Sequence, residues 1–448
     1  MLVPLVRVVR CAGKTHPCPH CGKRGRRKRP LHRRIRSLAY RQVAYLDVYY
    51  AEYEAHCPCC KYFRSWPLDV PAKSDYDDRV RMAVLERLLE DCLNVQRTIV
   101  AMNRDFLLSL SEGFVYDCLR WLGAQLDVPA HRKMVIEKFS GTLCVDELHL
   151  GRFTLLLATD PISDLPVAFA LVSRNDKKHM RRWLNNLKSW GLLPRVVVSD
   201  GSNLYPEVLA ELWPHARHQL CVFHILKDIN KLVLKEVRRL ARAMQRRGNC
   251  GRKRNRGRPS KAQQTARAAT GPTLKDKADF ILKHRFMIVK NTRAMDKQQW
   301  DDLVKMFEYL PELRTLWYFA CNVRRLFEKE ARVQTLWQRR AKLLRNEEYK
   351  AVPELAEAME MLEEGKFKKA VAFVYSDAGE KVRTNNHVER MNRKFRFAEK
   401  VRYKWRRRRW VVRFVLLALD RWWRQAASTP TEAEQTARAK QQPQPSSA

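Results

Sequence analysis

The sequence lacks a long uninterrupted apolar run. A membrane-spanning helix needs about 20 consecutive apolar residues. The nearest approach, 411–419, is short and is broken by Arg413. The first residues are apolar, but Arg7 and Arg10 interrupt any signal-peptide core, and no small-residue cleavage site follows. We therefore expect a cytoplasmic protein without a membrane partner.

Acidic residues are scarce relative to basic ones. The 448 residues include 88 Lys and Arg against 48 Asp and Glu, a formal net charge of +40. Such an excess favours a polyanion, with nucleic acid ahead of an anionic membrane. The alternative is a generally basic surface, but the cations cluster with aromatic residues. A hydrophobic share of 45% is enough for buried cores, and this length predicts roughly two to four domains.

Twelve cysteines in a cytoplasmic chain favour metal binding or free thiols over disulfides. Two C-x-x-C knuckles lie within residues 1–70, and two such pairs can close a tetrahedral structural zinc site. Unrelated thiol clusters or a redox pair are the alternatives. We predict a zinc-binding module of short strands over 1–70. Its expected ligands are Cys18, Cys21, Cys57 and Cys60, with Cys59 as the plausible substitute and Cys11 or His20 less favoured.

Residues 75–130 carry apolar side chains at helical spacing, and Ser111 is expected to cap a third helix. A helix-turn-helix with 111–122 as the recognition helix fits this pattern. An ordinary three-helix packing unit fits it equally well, because nothing in the spacing requires DNA.

From Thr142 the pattern changes to a mixed α/β layout. It predicts three strands, then helix, strand, helix and strand, over 142–147, 152–159, 166–172, 177–190, 195–199, 204–212 and 216–222. Helices are then expected to about 375, interrupted by a basic, disordered loop over 246–272. Further helices are expected from about Asn386 and over 407–423, before a disordered tail.

Two aspartates lie where strands of this layout end or carry an acid. Asp146 interrupts an apolar strand, and Asp200 follows another at its carboxyl end, where ligands of open α/β sheets gather. If the strands are neighbours, both carboxylates can share divalent cations. Glu147 competes with Asp146 for the first position. The alternatives are a strand terminus at Asp146 and a simple Asp-Gly turn at Asp200.

A helix expected near Asn386 carries Glu389. Its spacing from Asn386 also fits a capping box, in which Glu389 only satisfies a backbone amide. An apolar stripe (Val388, Met391, Phe395) and a face with Glu389 and cations are predicted. The basic, aromatic run that follows is expected to bind DNA phosphates and stack on bases, with a solvated charge run as the alternative. The expected DNA-binding residues are Arg393, Arg396, Lys400, Arg402, Lys404, Trp405, Arg406, Arg407, Arg408 and Arg409.

These motifs resemble those of bacterial insertion-sequence transposases of the DDE type. The segments 145–147 and 198–202 resemble the strands that carry their two aspartates, and 384–392 looks like the motif with their final glutamate. The N-terminal knuckles resemble the ISL-three type in particular. The resemblance implies Asp146, Asp200 and Glu389 as catalytic ligands of Mg²⁺ or Mn²⁺. It gives Cys221 and His224, from a C-x-x-H element, a supporting role.

The resemblance also implies a multidomain α+β architecture: a zinc-ribbon-like module, a helix-turn-helix-like module, and a ribonuclease-H-like α/β core with an all-α insertion. The expected boundaries are 1–70, 71–138, 139–228 with 376–426, 229–375, and a tail over 427–448. The implied activity is cleavage at transposon ends and 3′-hydroxyl transfer into target DNA by a homodimer at the bacterial nucleoid. The rivals are a non-catalytic zinc-dependent DNA-binding regulator and a structure-specific nuclease.

Overall fold

A computed structural model describes residues 4–67, 70, 74–249, 272–376, 381–401 and 407–428. The expected basic loop and tail lie mostly outside these ranges. The described helices include none that is both long and apolar enough to cross a membrane. The chain divides into two compact units, the first comprising Met1–Met134, His149–Leu155 and Met391–Ala448, and the second Val135–Leu148 and Leu156–Arg390.

The first unit opens with a five-stranded mixed sheet. Its strand order is β1-β4-β3-β2, with β5 paired to β4; β1 is parallel to β4 and the remaining pairs are antiparallel. Two strands have 14 residues each, longer than the short strands expected, and β3 is itself the basic run. Near its end, exposed Arg34 and half-buried Arg36 alternate with buried Ile35 and Ser37, which is the strand period. The strands are β1 (Leu5–Arg10), β2 (Thr15–Pro17), β3 (Arg24–Ser37), β4 (Ala44–Cys57) and β5 (Cys60–Arg64).

Four helices follow: α1 (Asp78–Leu89), α2 (Val95–Phe106), α3 (Glu112–Ala124) and α4 (Val128–Lys138). The predicted cap is confirmed, because Ser111 Oγ accepts a hydrogen bond from the Phe114 backbone N–H at 3.1 Å. The first three helices pack around a buried apolar core. Such a core serves a packing unit and a helix-turn-helix alike, so the recognition role of 111–122 stays a prediction.

The second sheet is the predicted mixed α/β layout, which is confirmed element by element. Its strand order is β10-β9-β6-β7-β8. Strand β9 pairs in parallel with β6 on one side and with β10 on the other. Gly151, at φ +57°, lies in the two-residue turn between β6 and β7. The elements are β6 (Thr142–Leu150), β7 (Phe153–Asp160), β8 (Leu165–Val172), α5 (Lys177–Ser189), β9 (Val196–Ser199), α6 (Tyr205–Leu212) and β10 (Arg217–Leu220).

A helical segment continues from β10. Its first helix, α7, runs for 28 residues from Val222 to Asn249. The basic loop therefore does not begin at 246, as was expected; the boundary expected at 229 falls within α7 and stays a prediction. The periodic apolar residues from Ile229 to Met244 keep α7 buried on one face. The other helices are α8 (Leu274–His284), α9 (Lys297–Tyr309), α10 (Leu313–Arg325), α11 (Val333–Leu344), α12 (Glu347–Lys350), α13 (Pro353–Glu360) and α14 (Glu364–Ala370).

The last two helices are α15 (Asn386–Val401) and α16 (Arg408–Ser428). The predicted apolar stripe of α15 is buried at Val388, Met391 and Phe395. In α16, the Trp410 ring stacks on Tyr116 of α3 with centroids 4.4 Å apart. That tryptophan of the basic, aromatic run therefore packs inside the first unit.

Candidate active site and thiol cluster

Two neighbouring strands, β9 and β10, end level with the middle of β6. Cys144 of β6 lies opposite Val198 of β9, so the same register places Asp146 level with Asp200, two residues further along each strand. On the other side of β9, Leu220 lies opposite Ser199, which places Cys221 level with Asp200. The sheet therefore brings residues far apart in sequence together: Asp200 and Cys221 follow the carboxyl ends of parallel strands, and Asp146 lies beside them within β6.

The carboxylates of Asp146, Glu147 and Asp200 form one cluster. One oxygen from each lies within 4.8 Å of the others. Burial, and next the charge of Asp200, raise the pKa of Glu147 to about 7. Beneath them, the fully buried Tyr205 hydroxyl has a pKa raised well above its usual value by burial and by the same acids. The cluster therefore concentrates negative charge in a poorly solvated place, and a cation would relieve it.

Asp200 also shapes its own turn. Its Oδ1 accepts a hydrogen bond from the Ser202 backbone N–H at 2.9 Å. The turn that sequence reasoning offered as the alternative to a catalytic role is thus present, and it coexists with membership of the cluster. An Asx turn uses one oxygen and holds the side chain in one orientation.

Glu389 belongs to a second group, with Cys221 and His224. One ligand atom from each lies within 4.8 Å of the others, and His224 Nε2 lies 3.7 Å from Glu389 Oε1. A hydrogen bond with Cys221, together with the charges of Glu389 and Asp200, raises the pKa of His224 to about 9 against the opposing effect of burial. Carboxylates of both groups therefore affect the pKa of His224.

Asn385 fastens Glu389 to the strand ends. Its Nδ2 donates to the Val145 carbonyl at 2.8 Å, and its backbone N–H donates to Cys221 Sγ at 3.2 Å. Its carbonyl accepts the first helical hydrogen bond of α15, from the Glu389 N–H at 3.1 Å. The side chain is fully buried. One residue thus links the strand of Asp146, the strand end at Cys221 and the turn that carries Glu389.

The first turn of α15 has a second anchor. Asp164, in the turn between β7 and β8, lies 2.6 Å from His387 Nε2 and 2.7 Å from Arg390 Nη2. The helix begins at Asn386, so the third helical position is Val388 rather than Glu389. The capping-box alternative for Glu389 was therefore wrong, and its carboxylate is not engaged in capping the helix.

We expect Asn385→Ala to slow the metal-dependent DNA cleavage that the resemblance implies by about a hundredfold, because misplacing a catalytic group by about 1 Å has that cost. Leaving the Val145 carbonyl unpaired should also destabilise the second unit by about 1–3 kcal/mol. The measurement is the cleavage rate against Mg²⁺ concentration, with thermal unfolding alongside. A displaced Glu389 should raise the Mg²⁺ requirement.

The neighbouring Asn386→Ala is the matched control, because Asn386 is exposed. Asn385→Asp keeps the size but removes the amide donor, and should behave like the alanine variant. An unchanged Mg²⁺ requirement in both Asn385 variants would reduce Asn385 to a purely structural residue.

The two groups fit divalent cations. Oxygen ligands are those that hard cations prefer, and one buried oxygen each of Glu147 and Glu389 has no hydrogen-bond partner among the described residues. Buried carboxylate oxygens without partners are costly unless a proton or cation occupies the site. The sequence did not reveal Tyr205 or Asn385; a motif with two adjacent asparagines was the only available signal for the latter.

The predicted DNA-binding residues are partly described. Arg393, Arg396 and Lys400 of α15 are exposed, and so are Arg407, Arg408 and Arg409. Arg402, Lys404, Trp405 and Arg406 lie outside the described residues. The exposed positions on α15 fall four, seven and eleven residues after Glu389, a spacing that keeps them on one helical face.

Thiols gather in the first unit. Cys18 Sγ lies 3.7 Å from Cys59 Sγ and 3.5 Å from Cys60 Sγ, and Cys59 Sγ lies 3.4 Å from Cys21 Sγ. Sulfurs around a tetrahedral zinc at about 2.3 Å would lie roughly 3.8 Å apart, so the cluster fits zinc. The side chain of Cys57 lies outside the described residues.

The thiol of Cys18 has a lowered pKa, which favours metal binding. Burial acts to raise the pKa of its thiol, but hydrogen bonds with the His20 and Cys21 backbone and with neighbouring thiols lower it to about 6. Gly22, at φ +74°, closes the knuckle by donating its N–H to the Cys18 carbonyl at 2.9 Å. The thiolate, which is the metal-binding form, is therefore favoured.

Comparison with known proteins identifies the family. A family model of ISL3-type DDE transposases, described as transposase, matches residues 143–409. No curated protein gave a sequence match. Among solved structures, the chain is similar to one of a Drosophila P element transposase strand transfer complex, at 13% identity and a TM-score of 0.25, over 72% of this chain and 91% of that chain. Because the family match spans more than half of the 448 residues and includes both carboxylate groups, the chain belongs to the ISL3-type DDE transposases and is a transposase.

Proposed function

We propose that this transposase hydrolyses DNA at transposon ends and then transfers the freed 3′-hydroxyl to target DNA, with Asp146, Asp200 and Glu389 as its metal-binding carboxylates. The observation that carries the proposal is the shared register of β6 and β9, which sets Asp146 level with Asp200 in one cluster. Glu389 is held beside the same strand ends through Asn385.

The proposed ions are Mg²⁺ or Mn²⁺. When bound, a pair of them activates the attacking oxygen and stabilises the leaving one. The chain's own residues prepare the site. Asn385 and Asp164 fix the turn that bears Glu389, the Asx turn orients Asp200, and His224 Nε2 lies 3.7 Å from Glu389 Oε1.

The proposed architecture follows from this assignment. Residues 139–228 and 376–426 would form a ribonuclease-H-like core, supported by the order β10-β9-β6-β7-β8, and the helices between them an insertion that starts within α7. Residues 1–70 would form a zinc module, and 71–138 a DNA-binding module. The exposed cations of α15 and α16 would contact DNA phosphates. The partners would be transposon ends and target DNA in the nucleoid, held by a homodimer.

The test is an in vitro assay with purified full-length protein, DNA carrying the element's ends, and a target plasmid. We expect nicked ends and joined products with Mg²⁺ or Mn²⁺, and neither product when the divalent ion is omitted from zinc-loaded protein. Nicks without any joined product would favour a structure-specific nuclease. Specific end binding without nicks under any divalent ion would favour a non-catalytic regulator.

A further inference from the structure

The second unit contains a cavity that the catalytic assignment does not use. It has a volume of about 840 Å³ and is lined mainly by α10 and the segments before α9 and after α10, with Trp300 of α9 and Arg383 completing the lining. A cavity of this size suits one small organic group rather than a macromolecular surface. Its lining combines aromatic rings with cations, among them Trp300, Trp317, Tyr318, Arg324, Arg325 and Arg383.

We call this cavity the aromatic cavity. Its aromatic rings pack against one another along one side. The Trp300 and Trp317 rings have centroids 6.2 Å apart at 76°, and Trp317 and Tyr318 lie 4.9 Å apart. Trp317 is partly buried against the helical core and fixes this side. Trp300 and Tyr318 are 37% and 55% exposed. Two flat rings held on a rigid base and open to solvent form a stacking surface.

Among the residues that the structure describes, the cations of the cavity have no acidic partner within 4 Å. Arg324 and Arg383 are half-buried, and burial lowers the pKa of both guanidinium groups. Each donates to a backbone carbonyl, of Val289 and Phe327 respectively, and neither pairs with a carboxylate within 4 Å among the described residues. A half-buried guanidinium without a counter-ion is costly and has further N–H groups to donate. Two glutamates, Glu328 and Glu330, also line the cavity, but five cations outnumber them there. The cavity therefore suits an anion.

The cavity is connected to the catalytic strand ends. The Arg383 carbonyl accepts a hydrogen bond from the Val222 N–H at 2.9 Å, directly after Cys221. Two residues after Arg383, Asn385 binds Val145 and Cys221. A DNA strand in the proposed active site would therefore pass near a place that combines flat rings with unpaired guanidinium groups.

We propose that the aromatic cavity binds an unpaired nucleotide of the DNA strand. The base stacks on Trp300 and Tyr318, and its phosphate is neutralised by the arginines. The inference rests on the proposed function only in taking DNA as the substrate. Stacking tolerates any base because every base has a π-face. The site therefore recognises an unpaired nucleotide and does not distinguish between base sequences.

The experiment measures the affinity of the full-length, zinc-loaded protein for two labelled duplexes by fluorescence anisotropy, without added Mg²⁺. The duplexes share one sequence, and one of them carries a single extra unpaired nucleotide. Wild type should prefer that duplex. Trp300→Ala and Tyr318→Ala should each weaken its binding by about 5- to 150-fold, the range for one stacked base, and should change binding to the paired duplex by less than about twofold.

Trp300→Phe keeps a flat ring and should restore most of the preference. Phe286→Ala is the matched control, because Phe286 is 56% exposed in the same helical segment and lies outside the cavity lining. Equal losses on both duplexes, or no loss in folded variants, would overturn the inference.

The cleavage assay separates this inference from the proposed function. If the wild-type protein prefers the duplex with the unpaired nucleotide but never cleaves DNA, the result supports nucleotide binding in the aromatic cavity and contradicts the catalytic proposal. A wild type that cleaves and joins but shows no preference keeps the catalytic proposal and defeats the cavity.

Discussion

Asp200→Asn should reduce metal-dependent cleavage and joining by at least about a thousandfold. A divalent ion contributes several kcal/mol of transition-state stabilisation, and each 1.36 kcal/mol is tenfold in rate, so losing one ligand charge has an effect of about this size. The variant should still fold, because an asparagine Oδ1 can accept the Ser202 N–H as Asp200 does at 2.9 Å. The measurement is the single-turnover rate on end-bearing DNA, with DNA affinity measured in parallel.

The adjacent pair Asp146 and Glu147 supplies the matched comparison. Asp146→Asn should match Asp200→Asn, because the strand register puts Asp146 level with Asp200. Glu147→Gln should lose less, since burial and the charge of Asp200 already hold the pKa of Glu147 at about 7, where the carboxyl is half protonated at neutral pH. The opposite ranking would move the first catalytic position to Glu147. Full activity in Asp200→Asn would end the carboxylate proposal.

Removing zinc should unfold the strand module of the first unit. Zinc bound at such sites contributes about 10–16 kcal/mol of apparent binding free energy. In the described part of the chain, the sheet it would hold has two small buried groups, one of them around Cys18, Tyr53 and Phe63. A strong zinc chelator, or Cys18→Ser, should therefore release about one zinc per chain and remove the first thermal unfolding transition. The measurements are zinc content and calorimetry.

Two further variants identify the ligands. Cys57 and Cys59 are the alternative candidates for the remaining zinc ligand. The distances from Cys59 Sγ to the neighbouring thiols favour Cys59, so Cys59→Ser should lose much of the bound zinc. Cys92→Ser is the control, since Cys92 lies outside the thiol cluster. A wild-type protein that holds no zinc and melts unchanged after chelation would refute the metal assignment.

Local patterns predicted most of the second sheet. Short apolar runs and the helices between them gave every strand from β6 to β10, because strand and helix periods are local properties. The position of Asp200 after an apolar strand pointed to the sheet edge for the same reason. The motif around Glu389 came from resemblance.

The remaining features depend on contacts between distant residues. Asn385 acts through Val145, 240 positions away, and no local pattern encodes that hydrogen bond. The stacking of Trp410 on Tyr116 likewise could not be read from a run of arginines and tryptophans. The true end of α7 was missed because its last turn is basic and polar, a composition shared by helix ends and loops.

Helix α7 has a mechanical consequence. It begins one residue after Cys221, carries His224 in its first turn and continues unbroken through 28 residues into the helical segment. At 1.5 Å per residue it is a rod about 42 Å long, with its buried face locked from Ile229 to Met244. No break in the helix separates its far end from the residues of the proposed active site. If bound DNA tilted the helical segment, α7 would therefore either bend or shift His224 relative to Glu389.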